Sequence, residues 1–89
     1  MDIEAIRNEI DEIDEQILDL FISRMDLCKR IAKIKKDNNQ SITSLEREAN
    51  ILSRAAEHSK EYSNEALILF KDIIAISKNI QKEYIKSNL

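Results

Sequence analysis

Four polar side chains stand where the pattern of the chain calls for apolar ones. Arg24, Glu48, Ser77 and Gln81 each fall on an apolar stripe of helical period. A guanidinium on a buried stripe is expensive unless something negative meets it. Natural sequences break their own local pattern mainly at functional sites. Further cations accompany the set. Lys35 follows Arg24 by eleven residues, about 1100° at ~100° per residue, so the two share nearly one helix face. Arg47 directly precedes Glu48, and Arg7 flanks its stripe beside Ile6 as Lys35 does beside Ile34. Cations with a neutral amide suit the capture of a small anion. No Ser-His or Cys-His set suggests nucleophilic catalysis. One His and one Cys exclude a zinc site of the usual spacing within one chain. No cofactor is expected.

The elements that must carry these residues are helices. Apolar residues recur as a heptad from Ile3, with Ile10, Ile17 and Ile31 at one seam position. Ile6, Ile13, Leu20, Leu27 and Ile34 occupy the other, and Arg24 interrupts the first. Asp2 is the expected N-cap, with Glu4 in the positive first turn. The helix should run to about Lys36, roughly 50 Å at ~1.5 Å per residue, against about 30 Å for a compact globule of this length. Residues 37–41 read as a polar loop. Thr43 and Glu46 have capping-box form, with Ser44 a competing cap. A second, short helix should end near His58, with Leu45, Glu48, Leu52 and Ala55 on its inner face. After a polar connection at 59–63, Ser63 or Asn64 should cap a third, medium helix reaching Tyr84 or Lys86. It carries two apolar rows. One is Ala66, Leu69, Ile73, Ile76 and Ile80; the other is Leu67, Phe70, Ile74, Ser77, Gln81 and Tyr84. The last residues, 87–89, are expected to fray.

The predicted fold is all-α, a single domain over residues 1–89. The chain has 89 residues and no glycine or proline, which disfavours hairpin turns and glycine-rich phosphate loops. A net charge of −3 argues against a general nucleic-acid binder. A lone Cys28, no signal peptide and no span-length apolar run point to a cytoplasmic protein without a membrane partner. So short a domain is often helped by oligomerisation. Arg7 lies about 25 Å of helix from Arg24 and about 42 Å from Lys35, so no small ligand touches all three within one chain. Two first helices paired antiparallel about a two-fold near residues 18–20 would set the partner's Arg7 opposite residues 29–33. An intertwined homodimer gathers the cations and covers the seam. Taken singly, the residues have plainer readings. Arg24 could pair with a buried acid, Glu48 for instance, to fix register. Arg7 and Lys35 could be solvated flanking charges.

Jointly the residues resemble the all-helical chorismate mutases. The matching pieces are Arg7 in AIRNEIDEID, Arg24 in LFISRMDL, Lys35 in RIAKIKK, Arg47-Glu48 in LEREANIL, and Ser77 with Gln81 in FKDIIAISKNIQ. The resemblance covers about Ile3 to Gln81, with a small gap in the second connection. Ser44 stands where well-known members carry an acid. The resemblance implies a homodimer that converts chorismate to prephenate, a Claisen rearrangement on the way to phenylalanine and tyrosine. Arg7 would be lent to the partner's site and bind one substrate carboxylate. Arg24 would bind the other. Arg47 and Lys35 would complete the cationic ring, Lys35 also reaching the ether oxygen. Gln81 would donate to the same oxygen, Glu48 would accept from the substrate hydroxyl, Ser77 would help position the carboxylate side, and Ser44 would line the remaining corner.

Two rivals share parts of this pattern. An isochorismate-pyruvate lyase resembles the family closely and would use the same cations and glutamine. A helical dimerisation module without catalysis would keep the seam and not the chemistry. The sequence also leads us to expect no fused dehydrogenase, dehydratase or regulatory domain.

Overall fold

A computed structural model describes residues 2–88, and every element in it is helical. Helix α1 spans Ile3–Asp37, α2 Leu45–His58 and α3 Ser63–Ser87, with a single 3-10 turn at Lys60–Tyr62 inside the second connection. Asp2 caps α1 as expected, its carboxylate accepting from the Glu4 N–H at 3.0 Å. At α2 the competing cap prevails. Ser44 Oγ accepts from the Arg47 N–H at 3.3 Å, so the expected Thr43–Glu46 box does not form. Neither Ser63 nor Asn64 caps α3: Tyr62 precedes it without a side-chain bond, because the 3-10 turn feeds straight into the helix. In a chain without glycine, the two positive-φ positions among the described residues fall on Asn39 (φ 54°) and Lys60 (φ 55°). Asparagine tolerates that region. Of the residues expected to fray, Ser87 still ends α3, Asn88 caps it, and Leu89 lies outside the described residues.

Helix α3 is the centre of the molecule. It packs on α1 along one side and on α2 along the other, while α1 and α2 make no backbone contact among the described residues. The arrangement is two walls on a shared floor. The face that α3 turns inward is the row with polar interruptions: Ile74, Ser77 and Gln81 are buried. The cleaner row is less covered: Leu69 and Ile76 are exposed, and Ala66, Ile73 and Ile80 are half-buried. Leu45, expected on the inner face of α2, is 77% exposed. It occupies the first helical position, beyond the reach of α3, and Glu48, Leu52 and Ala55 carry the packing instead.

The core is thin. Met25, Cys28, Ala32 and Ile74 are its buried apolar members, and those from α1 all come from its C-terminal half. Residues 2–20 are exposed throughout, and the molecule is 56 Å long by 26 by 13 Å. Every apolar seam residue from Ile3 to Ile34 is exposed, none less than the 40% of Ile6. Among the described residues no helix is long and apolar enough to cross a membrane.

Ala32 is fully occluded, at 0% exposure. Ala32→Leu should therefore overpack the helix contact and destabilise the fold by about 1–3 kcal/mol. Thermal unfolding followed by circular dichroism would show this as a Tm lowered by several degrees.

Candidate functional site

The gap between the two walls forms a cleft of about 240 Å³. Arg24, Leu27, Cys28, Ile31 and Lys35 line it from α1, and Ile42 closes its end from the loop. Ser44, Arg47, Glu48 and Ile51 line it from the α2 side, and Ile74, Ser77, Lys78 and Gln81 form the floor. Seven of the eight residues singled out by the sequence are thus together. Arg7 is the exception. It is exposed on the free half of α1, with its Nη1 2.8 Å from Glu4 Oε1.

Each wall residue has a definite environment. Arg24 Nη1 donates a short hydrogen bond to Ser77 Oγ and lies 3.9 Å from Cys28 Sγ. Ser77 Oγ donates in turn to the Ile73 carbonyl at 2.7 Å. A hydroxyl has one proton, so Ser77 can only accept from Arg24. The plainer reading of Arg24, a pair with Glu48, is not realised, because α1 and α2 stand apart across the cleft. Glu48 instead faces Lys78, whose Nζ is 3.4 Å from Oε1 and 3.3 Å from Oε2. Only the first has hydrogen-bond geometry, and Oε2 is a buried oxygen without a donor among the described residues. Lys35 Nζ donates to the Ile42 carbonyl at 3.0 Å and ties the end of α1 to the loop. Gln81 is 8% exposed, and its Oε1 is likewise buried without a donor.

The charges decide what such a cleft can hold. Arg24, Lys35, Arg47 and Lys78 face it against one carboxylate, Glu48. A small anion with several acceptors fits this balance. The apolar Leu27, Ile31, Ile42, Ile51 and Ile74 would enclose its carbon skeleton and exclude water from the polar contacts. A second hollow, of about 440 Å³, lies on the far side of Arg24 and Arg47 between α2 and α3. It is larger, but it has neither Ser77 nor Gln81, and among its charged lining residues there is no carboxylate.

Comparison with known proteins assigns the chain a family. The family model for chorismate mutase type II matches residues 6–82. The chain belongs to the chorismate mutase type II family. Membership makes it an enzyme of the isomerase class. The chorismate mutase of Methanocaldococcus jannaschii is 37% identical over 84 residues, covering 91% of this chain and 85% of the relative. The bifunctional chorismate mutase/prephenate dehydratases of Aquifex aeolicus and Buchnera aphidicola are 35% and 37% identical. Of those longer proteins the matched region spans only 24% and 22%, so their second activity is not carried over. No solved structure gives a significant match.

Two members of the site escaped the sequence reading. Lys78 directly follows Ser77 and reads there as a solvated charge. The Ile42 carbonyl is backbone, and no side-chain pattern announces it.

Arg24 is half-buried beside a hydroxyl and a thiol, with no carboxylate within ion-pair distance among the described residues. Arg24→Met should therefore fold and be no less stable than the native protein, and about 0–2 kcal/mol more so. Urea unfolding at matched protein concentration tests this, and a loss above ~1 kcal/mol would mean that the guanidinium contributes to the fold.

Proposed function

We propose that the protein rearranges chorismate to prephenate, working as an intertwined homodimer. The observation that carries this reading is the convergence of Arg24, Lys35, Ser44, Arg47, Glu48, Ser77 and Gln81 on one cleft of a family member. The reaction is unimolecular and concerted. It calls for no nucleophile, proton transfer or metal, and the residues of the cleft offer positioning and charge instead.

Two tasks fall to the protein. It must hold a flexible dianion in a compact, chair-like shape, and rigid cation clamps do this. Arg24 and the partner's Arg7 take one carboxylate each, and Arg47 and Lys35 complete the ring. Arginine suits the role because its fork binds a carboxylate bidentately and stays charged. The second task is to stabilise negative charge growing on the ether oxygen as its bond breaks. Lys35 and the Gln81 amide donate there, more strongly in the transition state than before it. Lys35 has three N–H groups and can keep its bond to the Ile42 carbonyl while doing so. Glu48 accepts from the substrate hydroxyl. Ser77 acts through Arg24, by holding its guanidinium.

The distribution of charge along α1 supports the dimer. Residues 2–20 carry acids at 2, 4, 9, 11, 12, 14, 15 and 19 and a single cation, Arg7. Residues 24–36 carry cations at 24, 29, 30, 33, 35 and 36 and a single acid, Asp26. Antiparallel pairing sets acidic half against basic half, whereas parallel pairing sets like against like. The exposed seam of Ile and Leu is the apolar surface such a pairing would bury.

The direct test supplies chorismate and isochorismate separately, identifies the products and compares kcat/KM. Chorismate should be consumed, with prephenate formed, and isochorismate should be the poorer substrate. Gln81→Ala should lower kcat roughly 10²–10³-fold, the usual loss for one preorganised donor. A neutral amide donates at any pH, so native activity should be nearly flat from mildly acidic to mildly basic conditions. Gln81→Glu must be protonated to donate, so its activity should fall steeply as pH rises.

Sharing of Arg7 has a separate consequence. Arg7→Ala and Gln81→Ala dimers should each be nearly inactive. In a heterodimer of the two, one site has both defects and the other has neither. Unfolding and refolding an equimolar mixture should restore about a quarter of native activity, from statistical exchange of subunits. Recovery near zero would show that Arg7 serves its own subunit, and an Arg7→Ala dimer of native activity would show that it serves neither.

A further inference from the structure

Among the cations that line the cleft, Lys78 has no part in the proposed reaction. It is placed by the α3 floor, one residue after Ser77 and three before Gln81, where a side chain must look into the cleft. Its Nζ sits opposite both oxygens of Glu48, at 3.4 and 3.3 Å. The two side chains are 31% and 23% exposed, so the pair is partly withdrawn from solvent. Arg24 is committed to Ser77, so it does not neutralise Glu48. A carboxylate left alone beside a dianion would repel it, and a long flexible side chain left alone would not keep one position.

We infer that Lys78 is a positioning residue, which neutralises Glu48 toward the incoming dianion and fixes its carboxylate for the substrate hydroxyl. The inference rests on the chorismate reading. The hydrogen bond from Lys78 occupies Glu48 Oε1, and Oε2 is left as the unmatched buried acceptor. Lys78 thus anchors the carboxylate at Oε1, with Nζ also 3.3 Å from Oε2, and fixes its orientation at the cleft. The hydroxyl contact exists before and during the reaction alike. Losing it should therefore weaken binding more than turnover. A salt bridge that merely joined α2 to α3 would instead change stability and leave both constants alone.

The experiment is a double-mutant cycle on the full chain, with Lys78→Met, Glu48→Gln and the double variant assayed on chorismate beside the native protein. Lys78→Met should raise KM roughly tenfold or more while kcat changes less. In the Glu48→Gln background the same substitution should change KM less than about twofold, a coupling within the usual range for residues in contact. Lys78→Arg should recover most of the loss, since it restores the charge opposite Glu48. Lys78→Gln, which keeps a donor and drops the charge, runs the same cycle if the methionine variant does not assemble. An unchanged KM in Lys78→Met, or an equal loss in both backgrounds, overturns the role of Lys78 and leaves the chorismate reading standing. Native protein inert toward chorismate overturns both.

Discussion

A charge held by a neutral partner is the constraint on which this molecule depends. Arg24 is gripped by the Ser77 hydroxyl, whose own proton is committed to the Ile73 carbonyl. The contact fixes the guanidinium against the floor without cancelling its charge. A carboxylate in place of Ser77 would neutralise Arg24 and close the site to anions. An alanine would leave the guanidinium free to swing toward solvent. Hydroxyl is the group that orients and leaves the field intact. The same logic explains why α1 and α2 stay apart: direct packing would deliver Glu48 to Arg24 and discharge the cleft within the chain.

The thin core and the cationic cleft are two sides of one problem. Few apolar residues are buried within the chain, and the richest apolar surface, the seam of α1, is exposed along its whole length. Small domains of this kind gain much of their stability by association. In the proposed dimer the same helix that supplies the missing burial also delivers Arg7. Folding, association and completion of the site would then be a single event. A variant weakened along the seam would lose activity by dilution before it lost helix content.

Much of this was legible in the sequence, and the reasons for the rest are physical. The heptad from Ile3 to Ile34 gave α1 to within a residue at its C-terminal end, because periodicity over so many turns outweighs local ambiguity. Arg24, Glu48, Ser77 and Gln81 were visible as misfits against regular stripes. Their partners were not. The alternative pairing of Arg24 with Glu48 would need the walls to touch, and only the third dimension reveals a floor between them. Lys78 carries no anomaly in one dimension, since a lysine on an amphipathic helix is ordinary until its neighbour across the fold is known. The cap at Ser44 was a choice between adjacent hydroxyls one residue apart, below what pattern resolves. The role proposed for Arg7 would need a second chain, and the single chain has it paired with Glu4 on the surface.

The proposed reaction, which needs shape and field and no proton transfer, would also account for the fold's economy of means. Catalytic groups that work by position must be held within about half an ångström, and helices hold them better than loops. Except for the Ile42 lining and the Ser44 cap, the residues that line the cleft belong to α1, α2 or α3, and the chain has no glycine or proline to soften any of the three. The loop that does approach is pinned by Lys35 to the end of α1. Rigidity has its own consequence. The two walls make no backbone contact with each other among the described residues, so the contacts of α3 with each of them set the width of the cleft. A packing residue such as Ala32, one turn from the cleft-lining Cys28 and Lys35, would then act on the proposed reaction through spacing. Enlarging that one occluded methyl would push α1 outward and carry Arg24 and Lys35 away from Arg47 and Glu48 on the other wall.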